Sequence, residues 1–408
     1  MTPRIIVTDG HTRTALAAVR ALGRAGFHVS VTGTRETSLA GSSRYARTTA
    51  VLPPADADPH QFVVSLDSFA RSSAAELILP VTDGAISAIL RHRETLTASA
   101  AVIAPSRAAY DALSDKAELI QLGRAAGLSV PRTVIAATPA DVVAAGDLVG
   151  YPCVIKPHRS VVGDRVSMRQ VTVSYAFDRP QIERVALRYH HTAYPLLIQE
   201  RIVGPGEGVF MLVDHGTIVC AFAHRRIREF PVTGGASTYR ESIAVPSDLR
   251  EACGRLLASV GWSGAAMVEF KRSQATGEPY LMEVNGRLWG SLKLAIDSGV
   301  NFPVLLARLS MGESVKPVES YRTGLRCRWF WGDVNHLIDR LLSSPSELGL
   351  PPGTPSRLSL LRDFLTWHPT RDRLEIMAIN DPAPWLYETR EWLSSAGATV
   401  RRRLLPRS

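Results

Sequence analysis

The stretch AMVEFKRSQATGEPYLMEVNGR, residues 266–287, decides the reading of this 408-residue chain. Two β-type runs flank Thr276-Gly277, a turn signal, so the segment predicts a hairpin centred near Thr276 that sets Glu269 opposite Glu283. Side chains alternate along a strand, so Glu283 and Asn285 share one face while Met282 and Val284 turn toward apolar packing. Two carboxylates about 5 Å apart across a ladder repel unless a cation lies between them. Two carboxylates and an amide oxygen suit Mg²⁺, with phosphate oxygens completing the octahedron. A solvated hairpin face with a shifted register is the alternative. Arg287, two residues beyond Asn285, falls on the same face and suits a carboxylate or a developing phosphoryl charge.

Working outward, lysine occurs only at Lys116, Lys156, Lys271, Lys293 and Lys316, so the placement of each is informative. In YPCVIKP, residues 151–157, Lys156 alternates with Ile155 and projects from a strand end toward something anionic, or snorkels into water. Ser114 or Asp115 caps a helix that Gly127 and Pro131 stop, and Lys116 in its first turn works against the helix dipole, which favours a ligand role. The run QERIVGPGE, residues 199–207, joins a strand to a Gly-Pro-Gly loop ending in Glu207; it suits adenosine, or is a charged turn. The run AHRRIREFPVTGGASTYRES, residues 223–242, places His224, Arg225, Arg226 and Arg228 ahead of Gly234-Gly235, whose backbone amides are able to approach an anion. A basic hairpin in water is its other reading.

The N-terminal third alternates strand and helix: RIIVTDG, an alanine-rich stretch around Thr14–Ala25, FHVSVTG, then ELILPVTDGAISAILRHRETL and AVIAPS. This βαβ pattern predicts a parallel Rossmann-like sheet over residues 1 to about 105. The first turn holds only Gly10 and no GxGxxG, which argues against NAD. From Tyr151 onward, CVIKP, LLIQERI, VFMLV, TIVCAF, AMVEF and YLMEV predict an α+β region with a mainly antiparallel sheet. After about residue 315 the chain turns Trp- and Arg-rich (GLRCRWFWGD) and ends in WLYETREWLSSAGATVRRRLLPRS, a terminal helix that either docks or frays, or touches an anionic membrane surface.

Composition narrows the class. Hydrophobic residues are 45% and charged residues 21%, which fits a globular chain and not a disordered one. The four cysteines are scattered without a CxxC pair, so reduced thiols are expected and a zinc site is not. The net charge of +9 comes from basic residues interleaved with acidic ones, which gives no stripe for nucleic acid. No run of about 18 apolar residues and no signal peptide are seen, so membrane insertion is not expected and a cytoplasmic location is.

In order and spacing these residues resemble the ATP-grasp superfamily over about residues 1–310, including a preceding domain of the kind found in biotin carboxylase, carbamoyl-phosphate synthase and carboxylate-amine ligases. The resemblance implies a Rossmann-like domain (1–105), a two-lobed ATP-grasp domain (106–315) and a C-terminal extension (316–408). It implies ATP with Mg²⁺, Mn²⁺ being able to substitute. Lys116 and Lys156 would contact phosphates; Glu200 and the backbone through Ile202 would read adenine; Glu207 would bind ribose. Glu269, Glu283 and Asn285 would hold the metal, Arg287 would steady the reacting centre together with Lys156, and Arg225, Arg226, Gly234, Gly235 and Arg240 would face the acceptor substrate. HRSVVGDRVS, residues 158–167, stands where the family has a glycine-rich phosphate-covering loop, but holds only Gly163. The implied reaction is an ATP-dependent ligation of a carboxylate to an amine through an acyl phosphate, with a homodimer as the expected assembly. A bicarbonate-dependent carboxylase or carbamoyl-phosphate-type enzyme and a catalytically idle nucleotide-binding protein are the alternatives.

Overall fold

A computed structural model of the chain describes residues 2–158, 161–163, 168–170, 173–189, 194–232, 234–350 and 353–404. Most of the segment 158–167 and the basic end beyond residue 404 lie outside the described residues. Three larger sheets organise the chain. The first is parallel, ordered β3-β2-β1-β4-β5, from β1 (Arg4–Val7), β2 (His28–Gly33), β3 (Ala46–Val51), β4 (Leu77–Leu79) and β5 (Ala101–Val102). Ile5, Ile6 and Val7 are all buried because helices cover both faces of such a sheet. Its crossover helices begin on side-chain caps: Thr12 accepts from the Ala15 amide and Thr82 from the Ala85 amide.

The second sheet, ordered β10-β7-β11-β6, uses β6 (Thr133–Ala136), β7 (Cys153–Pro157), β10 (Ser174–Ala176) and β11 (Leu196–Glu200). A separate hairpin pairs β8 (Val161–Gly163) with β9 (Met168–Gln170). The third sheet, ordered β16-β15-β12-β13-β14-β17-β18, uses β12 (Gly206–Asp214), β13 (Thr217–Phe230), β14 (Ala236–Ile243), β15 (Gly264–Arg272), β16 (Pro279–Asn285), β17 (Arg326–Arg328) and β18 (Asp372–Leu374). It is antiparallel except at its last pair. One face, carrying Val209, Met211, Ala266, Val268 and Phe270, packs on the helices Arg107–Ser114, Lys116–Ala125 and Ser247–Ser259. The other, carrying Phe210, Leu212, Phe222 and Met267, joins the core of the parallel sheet.

The C-terminal stretch is woven into this sheet through β17 and β18. Arg240 of β14 is fully buried and donates to Glu375, just beyond β18, at 3.1 Å from Nη1, while Arg13 of the first helix pairs with the same carboxylate. Arg228 likewise holds Asp333 through two 2.7 Å bonds, and Asp333 has no exposure at all. Removing one partner of such a pair leaves a buried charge uncompensated. Glu375→Gln should therefore lower unfolding free energy by about 3 kcal/mol in a denaturant titration. A loss within about 0.5 kcal/mol, the range of ordinary surface changes, would show that the pair holds nothing together.

Candidate functional site

The hairpin of β15 and β16 sets Glu269 directly opposite Glu283, with Asn285 opposite Met267. A bulge between Glu269 and Phe270 twists the ladder beside the acidic pair. Asn285 Nδ2 donates to Glu283 Oε1 at 3.1 Å, and Arg287 Nη2 donates to Asn285 Oδ1 at 3.1 Å. Glu269, Glu283, Asn285 and Arg287 thus form one continuous polar edge.

Cations reach this edge from a helix start packed on the same sheet and from a strand of the second sheet. Asp115 accepts from the Ala117 and Glu118 amides and starts the helix Lys116–Ala125, while the Lys116 amide donates to His158 O at 2.8 Å, which ties the helix start to the end of β7. Lys116 is buried and Lys156 half-buried. Burial lowers the Lys116 ammonium below its ordinary range against the pull of Glu283. Burial brings Lys156 down to about 8, with Glu283 opposing and Lys116 adding to the fall. Glu283 itself is raised by burial, but Lys116, the Asn285 amide and Lys156 outweigh that and hold it below the usual carboxylate range. Glu269 goes the other way: burial raises it and the charge of Glu283 adds, against Arg226.

Arg287 is anchored from the parallel sheet. Its Nε donates to Asp83 Oδ2 at 2.6 Å, at the start of the helix Asp83–Arg91, and Tyr110 donates to Asp83 Oδ1 at 3.1 Å. The same four residues, Val-Thr-Asp-Gly, stand at 7–10 after β1 and at 81–84 after β4, where the strand order of the parallel sheet switches direction. That repeated tetrapeptide is a signal from which Asp83 was legible. Lys271, two residues beyond Glu269 on β15, shares its face, and its charge reaches Lys156. The rarity of lysine would have singled it out.

Other expected residues go elsewhere. Glu207 does not present a free carboxylate: it is buried and accepts three bonds of 2.7–2.9 Å from Arg272. The Glu200 carboxylate accepts from the Arg132 amide at 2.8 Å, which braces the strand end before Ile202. The four basic side chains of 224–228 separate, because strand alternation and two register shifts send them to different faces. His224, fully buried, meets Ser291 Oγ at 2.7 Å, and burial drives its imidazole well below its ordinary range, so it is neutral. Arg225 pairs with Glu241, Arg226 with Glu269, and Arg228 with Asp333. The carboxylate that Arg240 meets is Glu375 of the chain itself, which differs from the expectation of a substrate partner. Gly234, with φ +132, and Gly235, where a Cβ would stand 2.4 Å from Phe230 O, make the tight turn between β13 and β14.

Among the described residues no group of three or more His, Cys, Asp or Glu side chains is placed to hold a metal. Glu269 and Glu283 with the Asn285 amide are a three-oxygen set, which fits a divalent ion such as Mg²⁺ that takes its remaining oxygens from phosphate or water. A separate cavity of about 420 Å³ borders Arg287, lined by Pro80, Ile103, Leu212, Leu288 and Leu306.

A profile of the family described as "ATP-grasp in the biosynthetic pathway with Ter operon" matches residues 192–332. The structure resembles the biotin carboxylase domain dimer of a 2-oxoglutarate carboxylase from Hydrogenobacter thermophilus, solved with MgADP and bicarbonate, at a TM-score of 0.63 and 15% identity over 80% of this chain and 74% of that one. The chain has the ATP-grasp fold. An L-amino acid ligase from Bacillus licheniformis aligns at a TM-score of 0.58 and 15% identity, over 77% of this chain and 75% of that one. Acetyl-CoA carboxylase 2 of Oryza sativa subsp. japonica is 29% identical over 230 residues, 48% of this chain and only 9% of that protein's length. No helix among the described residues is long and apolar enough to cross a membrane.

Lys156 gives the site a pH signature. A lysine lowered to about 8 is charged below that pH and loses its proton above it. Binding of ATP without added metal should weaken as pH rises from 7 to 9, read by calorimetry, and Lys156→Arg should flatten the profile because a guanidinium stays charged. An unchanged profile in the arginine variant would remove Lys156 from the phosphate site.

Proposed function

We propose that this ATP-grasp chain is an ADP-forming ligase that activates a small-molecule carboxylate and joins it to an amine. One observation carries the proposal. Glu269 and Glu283 face each other in register on a half-buried edge that Lys116 and Lys156 approach from two other elements and Arg287 from just beyond β16. Opposed buried carboxylates are costly unless a cation sits with them, and lysines around a dication suit polyphosphate. Glu269, Glu283 and Asn285 would hold Mg²⁺, or Mn²⁺ in its place, which neutralises phosphate charge when bound.

The chain's own groups then have distinct work. Lys116 and Lys156 hold phosphate oxygens, the strand end at Glu200–Ile202 offers backbone groups to adenine, and Glu207 borders the ribose with Arg272 as its partner. The substrate carboxylate oxygen attacks the γ-phosphorus and ADP leaves; the amine attacks the acyl carbon and phosphate leaves, the amine losing a proton. Arg287, fixed by Asp83, lies where the charge of both steps develops, so it stabilises without reorganising. Arg225, Arg226 and the Gly234-Gly235 turn mark the acceptor side. Residues 1–105, 106–315 and 316–408 are the division we propose for the chain, and a cytoplasmic homodimer the assembly.

A second reading is favoured by the carboxylase likenesses: bicarbonate takes the place of the organic acid. Phosphate release assayed with bicarbonate alone, and with a panel of acids crossed with amines, separates the two. The proposal expects ADP and phosphate only when acid and amine are both present; AMP and pyrophosphate would contradict it. Glu283→Gln should lower kcat by at least about a hundredfold while the melting temperature holds, because it removes charge and keeps shape. Wild-type turnover in that variant would contradict the metal assignment.

A further inference from the structure

Arg226 stands on β13, but the carboxylate it reaches, Glu269, stands on β15, with β12 between them. Nη2 lies 2.5 Å from Glu269 Oε2, and Nη1 donates to Glu229 Oε1 at 3.1 Å and to Gly235 O at 3.4 Å. The intervening strand lets the side chain cross because it reads Gly206-Glu207-Gly208, so the face turned to Arg226 carries no side chain at either glycine. A Cβ at Gly206 would fall 2.8 Å from Arg226 Cδ and 2.9 Å from Glu229 Oε1. Gly206 is outside the left-handed region that favours glycine, so the crossing side chain, and not the backbone, explains why this position is bare.

The two opposed carboxylates therefore differ in their main protein cations: Glu269 is ion-paired with Arg226, while Lys116 from a helix start and Lys156 from the second sheet act most strongly on Glu283. We propose that Arg226 and the divalent ion compete for Glu269, the guanidinium being its resident counter-ion until metal arrives and displaces it. The inference rests on Glu269 and Glu283 being metal carboxylates. Its physical basis is mass action: a ligand that must displace an internal partner binds more weakly by the stability of that contact. It also explains a cation built across a strand to a position where the metal would otherwise supply the charge.

The test is Mn²⁺ binding to the full chain with a non-hydrolysable ATP analogue, followed by the spin-resonance signal of free Mn²⁺. Arg226→Met removes the competitor, and its Mn²⁺ dissociation constant should fall by about tenfold, the scale of a close charge pair. That variant also makes the site more negative, so a second variant is needed. Gly206→Ala keeps the charge and obstructs the crossing, and should tighten Mn²⁺ several-fold. Arg226→Lys, charged but shorter, gives the same readout should the alanine disturb the strand. Tightening in Arg226→Met alone, with both charge-retaining variants at the wild-type value, would reduce the effect to net charge and overturn the proposal. Wild-type or weaker binding in all three would overturn it as well. A wild-type chain that binds the nucleotide analogue but no Mn²⁺ would fail earlier, at the metal-site reading.

Discussion

Two acidic side chains, placed face to face by the register of one hairpin and half-buried there, set the requirement that the rest of the site meets. Neither Glu269 nor Glu283 has solvent enough to keep its charge unaided, and each raises the cost of ionising the other. Most of the compensation comes from far along the chain: Lys116 from a helix start, Lys156 from a strand of the second sheet and Arg226 from across a glycine-floored strand, with Arg287 close by, just beyond Asn285. The two sides of the pair end in opposite states, with Glu283 kept below the ordinary carboxylate range and Glu269 pushed above it.

Arginine does the long-range structural work as well. Arg240 and Arg13 converge on Glu375, Arg228 grips Asp333, and Arg20 joins Asp381 at 2.8 Å. Each of these acids comes from the C-terminal stretch, and each of the arginines from an earlier sheet or helix. A planar guanidinium with five donors satisfies a buried carboxylate and nearby carbonyls together, as Arg20 does with Asp381 and Ile376 O. The stretch after residue 315, which reads as an extension in the sequence, is in the structure the outer edge of the main sheet and the source of the buried anions Asp333 and Glu375 that its arginines meet.

Much of the fold was legible because it depends on local periodicity. The βαβ alternation of the first hundred residues gave the parallel sheet, and the Thr276-Gly277 turn with alternating side chains gave the Glu269–Glu283 register. Asp115 was legible as a cap because capping is a matter of adjacent residues. What escaped were partners fixed by the tertiary fold. Nothing local joins Asp83 to Arg287, 204 positions apart, or Arg240 to Glu375, 135 apart. The arginines of 224–228 looked alike in sequence; strand alternation separates Arg225 from His224 and Arg226, and two register shifts that no local signal announces redirect Arg228. Glu207 seemed available because its partner Arg272 lies on another strand.

The most direct measurement is a crystal structure of the chain with Mg²⁺ and a non-hydrolysable ATP analogue. The account predicts a single ion touching Glu269, Glu283 and Asn285, with the terminal phosphates beside Lys116 and Lys156. Nucleotide lodged in the cavity behind Arg287, with the two glutamates still facing each other across an ion-free gap, would contradict it.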